Sequence, residues 1–289
     1  MNPKPLCAIT GANGYVGGCF RQHFLARGWD VLELTRQPRP GARSHPFQLG
    51  GEFSPAALAG VSALVHCAYD FKPLRWPELQ AVNAGGTAKL LAAAQAAGVG
   101  RIICISTISA YPGCRSLYGR VKLEIEKITL EAGGLALRPG LVYGDQPGGM
   151  FGKLVAQMRS SRIVPMIGDG SQILRMVHET DLCSFAEKYA AGTLSPPAQL
   201  YTAAHEYPWR FKNILQEIAR GLGRNPVFIP LPWRLIWAGL KSVETTGCRL
   251  NFRSDSLVSL MYQNPAPELA GNLAAGLVCR PFAIETLRL

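Results

Sequence analysis

Short apolar runs alternate with amphipathic stretches through the first half of the chain. Leu6-Cys7-Ala8-Ile9 is apolar and breaks at a glycine-rich turn. Val16, Phe20 and Phe24 follow at every fourth position, a spacing that puts one apolar stripe on a helix. Trp29–Arg36, Val61–Ala68, Arg101–Ser106 and Leu135–Leu137 read as further strands, with a weaker third strand at Phe47–Leu49 inside the Pro- and Gly-rich stretch 38–55. Pro77–Ala97, rich in Ala and Leu, predicts one long helix. Apolar strands alternating with helices predict an α/β fold with a parallel, doubly wound sheet. Beyond Gly144 the pattern changes. Gly- and Pro-rich loops surround Phe151–Met158, which reads as helical, and Ile163–Ile167; Leu200–Thr202 reads as a return strand. Trp209–Leu222, Leu231–Val243 and Asn251–Asn264 predict helices. The expected division is a sheet domain of residues 1–145 and 172–204, and a smaller, mostly helical lobe of 146–171 and 205–289. Trp233, Trp237 and Leu240 share a helix face, suited to core packing, with a partner or membrane contact as the alternative.

Composition narrows the class. Of 289 residues, 48% are hydrophobic and 17% charged, an ordinary balance for a folded chain. No apolar run approaches the roughly 18 residues of a membrane span. The chain enters its first strand within about five residues, which leaves no room for a signal peptide. The eight cysteines show neither C-x-x-C nor any other metal-ligand spacing. Several lie in apolar runs, where a reduced thiol behaves as a small hydrophobe. These features predict a cytoplasmic protein without a metal. A net charge of +11 suits anionic ligands, yet no basic block or zinc finger points to nucleic acid.

Gly11-x-x-Gly14-x-x-Gly17 sits between a strand and a helix. Glycines there let the backbone approach a pyrophosphate, and the free N–H groups of the helix start meet its charge. Downstream, Tyr118 and Lys122 lie four apart on a predicted helix, so phenol and ammonium face the same way. A neighbouring cation would favour the phenolate and draw the tyrosine towards working pH.

Thr10-Gly11-Ala12-Asn13-Gly14-Tyr15-Val16-Gly17 resembles the T-G-x-x-G-x-x-G of the extended short-chain dehydrogenase/reductase family, the NAD(P)-dependent epimerases, dehydratases and reductases of nucleotide sugars. Val61–Ala68 resembles its H-x-A-A strand end, Val82–Thr87 its V-N-x-x-G-T, and Arg138–Gly144 its R-P-x-x-V-Y-G. Arg175–Leu182 is similar to its R-x-x-x-H-V-x-D segment, although Arg175 stands three residues before the His, not four. The resemblance runs from residue 6 to about 230 and implies a Rossmann domain with a substrate lobe. It implies cofactor contacts from Gly11, Asn13, Gly14, Tyr15, Val16, Gly17, Thr35, Arg36, Ala68 and Lys122. It implies a catalytic set of Thr107, Tyr118 and Lys122, with Ser106 and Ser109 as alternative hydroxyls, and substrate-side roles for Asn83 and Arg175.

Thr35 and Arg36 stand where an NAD enzyme carries its ribose-binding carboxylate, so NADP(H) is expected over NAD(H). Glu33 is the competing ribose ligand if the strand ends early. His66 is expected to be structural. The Asp-Glu pair of family dehydratases is replaced by Ile108-Ser109, which argues against dehydration. Cys114 reads as a plain loop cysteine, with a base for epimerisation as the alternative. The expected activity is NADPH-dependent reduction of a keto group, on a nucleotide-activated 4-keto sugar. A nucleotide-sugar 4-epimerase, the same chemistry on another small carbonyl compound, and a non-catalytic dinucleotide-binding or redox-sensing protein are the alternatives. A homodimer through the Tyr118 helix is the family's frequent assembly.

Overall fold

Seven strands run parallel in the spatial order 200–203, 135–139, 101–105, 63–66, 6–10, 30–35, 44–46. The computed structural model describes residues 4–247 and 252–284. Leu6–Thr10 and Ala63–His66 are buried throughout, as strands covered by helices on both faces must be. The strand order reverses between these two, and in such sheets that point opens a crevice at the carboxyl ends. Thr10 and His66 are register partners at its edge.

One face is covered by the helices Tyr15–Ala26 and Glu179–Ala190. Phe20 and Phe24 are fully buried there against Cys7, Ile9, Val65 and Phe185, and Phe24 meets Trp29 edge-on at 5.2 Å. Each such ring contributes about 1.5–3 kcal/mol by leaving water. Leu90, Leu91 and Ala94 of the helix Gly86–Ala96 bury the other face with Phe47, Leu49 and Leu58. The helix Leu117–Glu131 packs beside them through Val121 and Ile125, on Leu79 and Cys104.

Two elements of the sheet domain differ from the sequence pattern. The third strand is Ser44–Pro46, not Phe47–Leu49; Phe47 and Leu49 are apolar because they fill the core just after it. The long helix is interrupted. A turn at Trp76–Leu79 widens to a π-turn over Gln80–Gly85 before the α-helix resumes at Gly86. Gly86 lies against Leu49 and Gly50, where a Cβ would come 2.5 Å from the Gly50 nitrogen.

Beyond the sheet, a second apolar cluster forms where the helices Gly149–Ser160 and Phe211–Gly221 meet, around Phe151, Met158, Ile214 and Phe282. A parallel pair of strands, Ile163–Ile167 and Val227–Leu231, flanks it. The helices Trp233–Thr245 and Ser254–Met261 follow. The predicted Asn251–Asn264 helix is therefore shorter, and its first residue lies outside the described residues.

A Cβ on Gly17 would overlap the Gly11 carbonyl oxygen. Gly17→Ala is expected to destabilise the fold by about 1–3 kcal/mol, measured by urea unfolding. Gly28→Ala, with open space around it but a positive φ of 84°, serves as a control for backbone strain alone.

Candidate active site

The glycine turn is folded for close approach. Gly11 has φ +68°, and a Cβ there would lie 3.1 Å from the Ala68 nitrogen, so the turn rests on the neighbouring strand end. Gly14 precedes the first helix without a side-chain cap, leaving that helix's first N–H groups for another acceptor. Asn13 Nδ2 donates to the Gln37 carbonyl (2.8 Å) and to Thr35 Oγ1 (3.0 Å), tying the turn to the end of the second strand. Between them opens a cavity of about 360 Å³ lined by Asn13, Gly14, Gly18, Arg21, Gln37 and Arg39, among others. Arg21 Nε is buried there with no hydrogen-bond partner. A backbone-lined cradle, a bare helix start and a cationic end fit the two phosphates and adenosine of a dinucleotide.

Side chains divide the labour differently from the sequence reading. Tyr15 turns its hydroxyl to Glu179 Oε2 (2.8 Å), and Val16 packs on the core, so neither side chain faces the cavity as its lining. Arg36 is exposed, while Arg21 and Arg39 line the cavity. Glu33 is buried; Arg39 Nε holds its carboxylate at 3.0 Å, and Arg21 stands 3.9 Å away. That engagement leaves Glu33 a poor competitor for a ribose hydroxyl.

A buried chain of hydrogen bonds underlies the crevice. Thr10 Oγ1 accepts the N–H groups of Cys67 and Ala68 (3.0 Å each), so its own proton goes to His66 Nδ1 at 2.7 Å. His66 must then carry its proton on Nε2 and donate to Thr87 Oγ1 (2.9 Å), which donates to the Asn83 carbonyl (2.7 Å). Burial, with Lys122 nearby, lowers the His66 pKa to about 3. The histidine is structural and neutral. Asn83, expected on the substrate side, is fully buried. Its Oδ1 accepts from the Asp70 nitrogen (2.7 Å) and its Nδ2 donates to the Asp70 carbonyl (3.0 Å). This corrects a direct substrate contact to a clamp on the loop carrying Tyr69 and Phe71.

The structure brings Thr107, Tyr118 and Lys122 together. The Thr107 hydroxyl accepts the Ser109 N–H at 3.2 Å and acts on the Tyr118 phenol to lower its pKa. Lys122 Nζ lies 5.9 Å from the Tyr118 ring centre and donates to the Ile105 carbonyl at 2.7 Å. Burial pushes Tyr118 up to about 12, against the lowering effect of Thr107, and burial also lowers Lys122. The expectation that Lys122 draws the phenol downward is therefore not met in this arrangement. Desolvation wins, because the ammonium is spent on a backbone carbonyl.

The remaining candidates are accounted for. Ser106 is buried and donates to Glu126 Oε1, away from the phenol. Glu126 also receives Arg138 in a two-pronged pair (2.8 and 2.6 Å), which locks the strand end under Thr107 to the tyrosine helix. Cys114 is buried beneath Gly119. Arg175 donates to the Glu206 carbonyl, which occupies the group expected to grip a diphosphate. Three features lay outside the sequence reading. Asp255 accepts from the Leu117 and Tyr118 nitrogens (2.8 and 2.9 Å), anchoring the start of the catalytic helix. Phe71 stacks at 5.8 Å on Tyr118 and is 55% exposed, and Tyr69 meets the same ring edge-on at 4.9 Å. Among the described residues, no group of three His, Cys, Asp or Glu is placed to hold a metal, and no helix is long and apolar enough to cross a membrane.

A Rossmann sheet, a glycine cradle at its switch point and a tyrosine–lysine pair beside it define a dinucleotide-dependent oxidoreductase or epimerase. The chain belongs to the NAD dependent epimerase/dehydratase family, which matches residues 7–192. It is 25% identical over 225 residues to a dTDP-4-dehydro-6-deoxy-D-allose reductase of Streptomyces sp, covering 60% of this chain and 69% of that protein. It is also 25% identical over 327 aligned positions to the 3 beta-hydroxysteroid dehydrogenase/Delta 5-->4-isomerase of Mycobacterium tuberculosis (strain ATCC 25618 / H37Rv), covering 97% of this chain and 80% of that one. Among solved structures, MoeE5 in complex with UDP-glucuronic acid and NAD superposes with a TM-score of 0.74 at 20% identity, over 96% and 95% of the two chains. The protein is an NAD(P)-dependent enzyme of the oxidoreductase/epimerase type.

Because His66 titrates at about 3 when folded, against 6.5 ordinarily, the unfolded chain takes up a proton below pH 6.5 that the folded chain refuses. Its contribution to stability is complete above 6.5. It is lost as pH falls towards 3, by about 1.4 kcal/mol per unit. Denaturant unfolding between pH 7 and 4 is expected to show a flatter pH dependence in His66→Gln than in the wild type.

Proposed function

We propose that the enzyme reduces a ketone to an alcohol with NADPH, Tyr118 being the proton donor. The observation that carries this reading is the convergence of Thr107, Tyr118 and Lys122, with Lys122 Nζ 5.9 Å from the Tyr118 ring centre and the Thr107 hydroxyl acting on the phenol. The dinucleotide supplies hydride to the carbonyl carbon when bound. Thr107 orients the carbonyl oxygen, and Tyr118, protonated across the neutral range, transfers its proton to that oxygen as negative charge develops. Lys122, fixed on the Ile105 carbonyl, stands near the phenol as the cation that offsets the phenolate left after transfer. Glu126 and Arg138 hold the strand end and helix in register. Dehydration lacks the paired carboxylates, since Ile108 and Ser109 follow Thr107.

NADP(H) is proposed over NAD(H) because Glu33 is engaged by arginines and Arg36 stands exposed at the strand end, with Arg21 and Arg39 nearby. We divide the labour between 1–145 with 172–204 for the dinucleotide, and 146–171 with 205–289 for the substrate. The separate cluster around Phe151 and Ile214 supports the division, while Ala275 and Leu277, packed in the first core, blur it. As substrate we propose a nucleotide-activated 4-keto sugar, following the reductase relative from Streptomyces. A second reading, an apolar ketone, is favoured by the exposed Phe71 ring on Tyr118 and by the engagement of Arg175; the steroid-oxidising relative covers more of the chain.

Tyr118→Phe is expected to lower kcat at least about hundredfold with NADPH binding little changed. Both are read by NADPH oxidation and fluorescence titration, with a dTDP-4-keto-6-deoxy sugar and a 3-ketosteroid as the two substrates. Net NADPH consumption separates reduction from epimerisation, which consumes none. Arg36→Ala is expected to raise the NADPH dissociation constant about tenfold and to leave NADH nearly unaffected. An equal effect on both cofactors would remove Arg36 from the 2′-phosphate.

A further inference from the structure

The strand pair 163–167 and 227–231 buries only one of its faces. Val164 and Met166 point into the second core, and Phe228 packs on it. The alternate residues are apolar too, and exposed. Val227 is paired in register with Ile163, and Ile229 with Pro165. Ile163 is 57% exposed, Val227 62% and Ile229 42%, with Leu231 following on the same side. In a parallel ladder, register partners project to the same face, so these residues form a continuous apolar surface.

Two residues after Leu231 begins the helix Trp233–Thr245. It rests on the molecule through Trp233, whose ring meets Tyr262, and through the buried Glu244. Its other sides stay apolar: Leu235 is 71% exposed, and Trp237 and Val243 are also exposed. A soluble helix ordinarily turns a charged face outward. This one carries only Arg234 and Lys241 there.

The charge around this surface is predominantly positive. Segments 159–169 and 224–244 contain Arg159, Arg162, Arg224, Arg234 and Lys241 against Asp169 and Glu244. Arg224 is tied to the Arg159 carbonyl, which fixes its cation at the rim while leaving the charge uncompensated. Lys241 stands 3.8 Å from Glu244, a carboxylate already taken up by the Ser254 nitrogen and hydroxyl. An apolar surface rimmed by cations, with tryptophan near its edge, is complementary to an anionic bilayer surface. A second copy fits less well, because a two-fold contact would set these five cations against themselves.

We propose that this face docks the enzyme on membranes rich in anionic phospholipid. Ile229, Leu231 and Leu235 enter the headgroup–acyl boundary, and Arg162, Arg224 and Arg234 meet lipid phosphates. No described helix crosses the bilayer, so the protein lies on the surface.

The test is flotation of the full chain with phosphatidylcholine vesicles, with and without half phosphatidylglycerol, at low and high salt. Wild type is expected to float with the anionic vesicles, more weakly with neutral ones, and to be released by salt. Ile229→Glu with Leu235→Glu is expected to lower the bound fraction at least about fivefold, while NADPH titration reports that the fold is retained. If that variant fails to fold, Arg162→Ser with Arg234→Ser is expected to abolish the preference for phosphatidylglycerol. Failure of wild type to float, or flotation unchanged in a folded variant, overturns the proposal. So does a light-scattering dimer that Ile229→Glu dissociates without any vesicle binding, which would give the face to a second copy.

Discussion

Everything at the crevice depends on one buried threonine. Thr10 ends the central strand, and its hydroxyl accepts two N–H groups from the adjoining strand end while donating to His66. That single oxygen fixes the separation of Gly11 from Ala68, the tautomer of His66 and, through Thr87, the carbonyl of the π-turn residue Asn83. Buried polar groups are costly when unpaired and rigid when fully paired. Each member of this chain is satisfied, so dinucleotide cradle and substrate-side loop share one rigid foundation.

The proposed reacting groups show how burial sets electrostatics here. Tyr118 and Lys122 are both pushed towards their uncharged forms by desolvation. The lysine recovers part of that cost by donating to the Ile105 carbonyl, and Thr107 opposes the upward push on the phenol. A protonated phenol suits an acid more than a base. The aromatic rings of Tyr69 and Phe71 meet the Tyr118 ring edge-on and stacked.

What could be read from sequence was what repeats locally. Apolar runs marked six of the seven sheet strands to within one to three residues, and the glycine spacing marked the cradle. The Tyr118/Lys122 spacing marked the pair because helix geometry alone places residues four apart together. The third strand escaped because Phe47 and Leu49 are apolar for packing and not for pairing. The π-turn escaped because it answers to distant partners: Asn83 to Asp70, and Gly86 to Gly50. Glu126 and Asp255 were silent for the same reason, each being an ordinary charged residue until folding sets it in place, and Arg138, read only as part of its motif, gave no sign of its pairing with Glu126. The pairing of 163–167 with 227–231 escaped as well, since 227–230 carries no period of its own and Leu231, read into the following helix, belongs to the strand.

The cap on the catalytic helix has a consequence for the order in which the enzyme matures. The N–H groups of Leu117 and Tyr118 are secured by Asp255, whose sequence separations from them are 138 and 137. During synthesis every strand of the central sheet is complete by Ala203, well before that carboxylate exists. All seven strands thus exist while the tyrosine helix still lacks its anchor, and Ala275 and Leu277, which complete the core beneath them, come later still. The helix that carries Tyr118 and Lys122 therefore takes its N-terminal anchor from the far end of the chain.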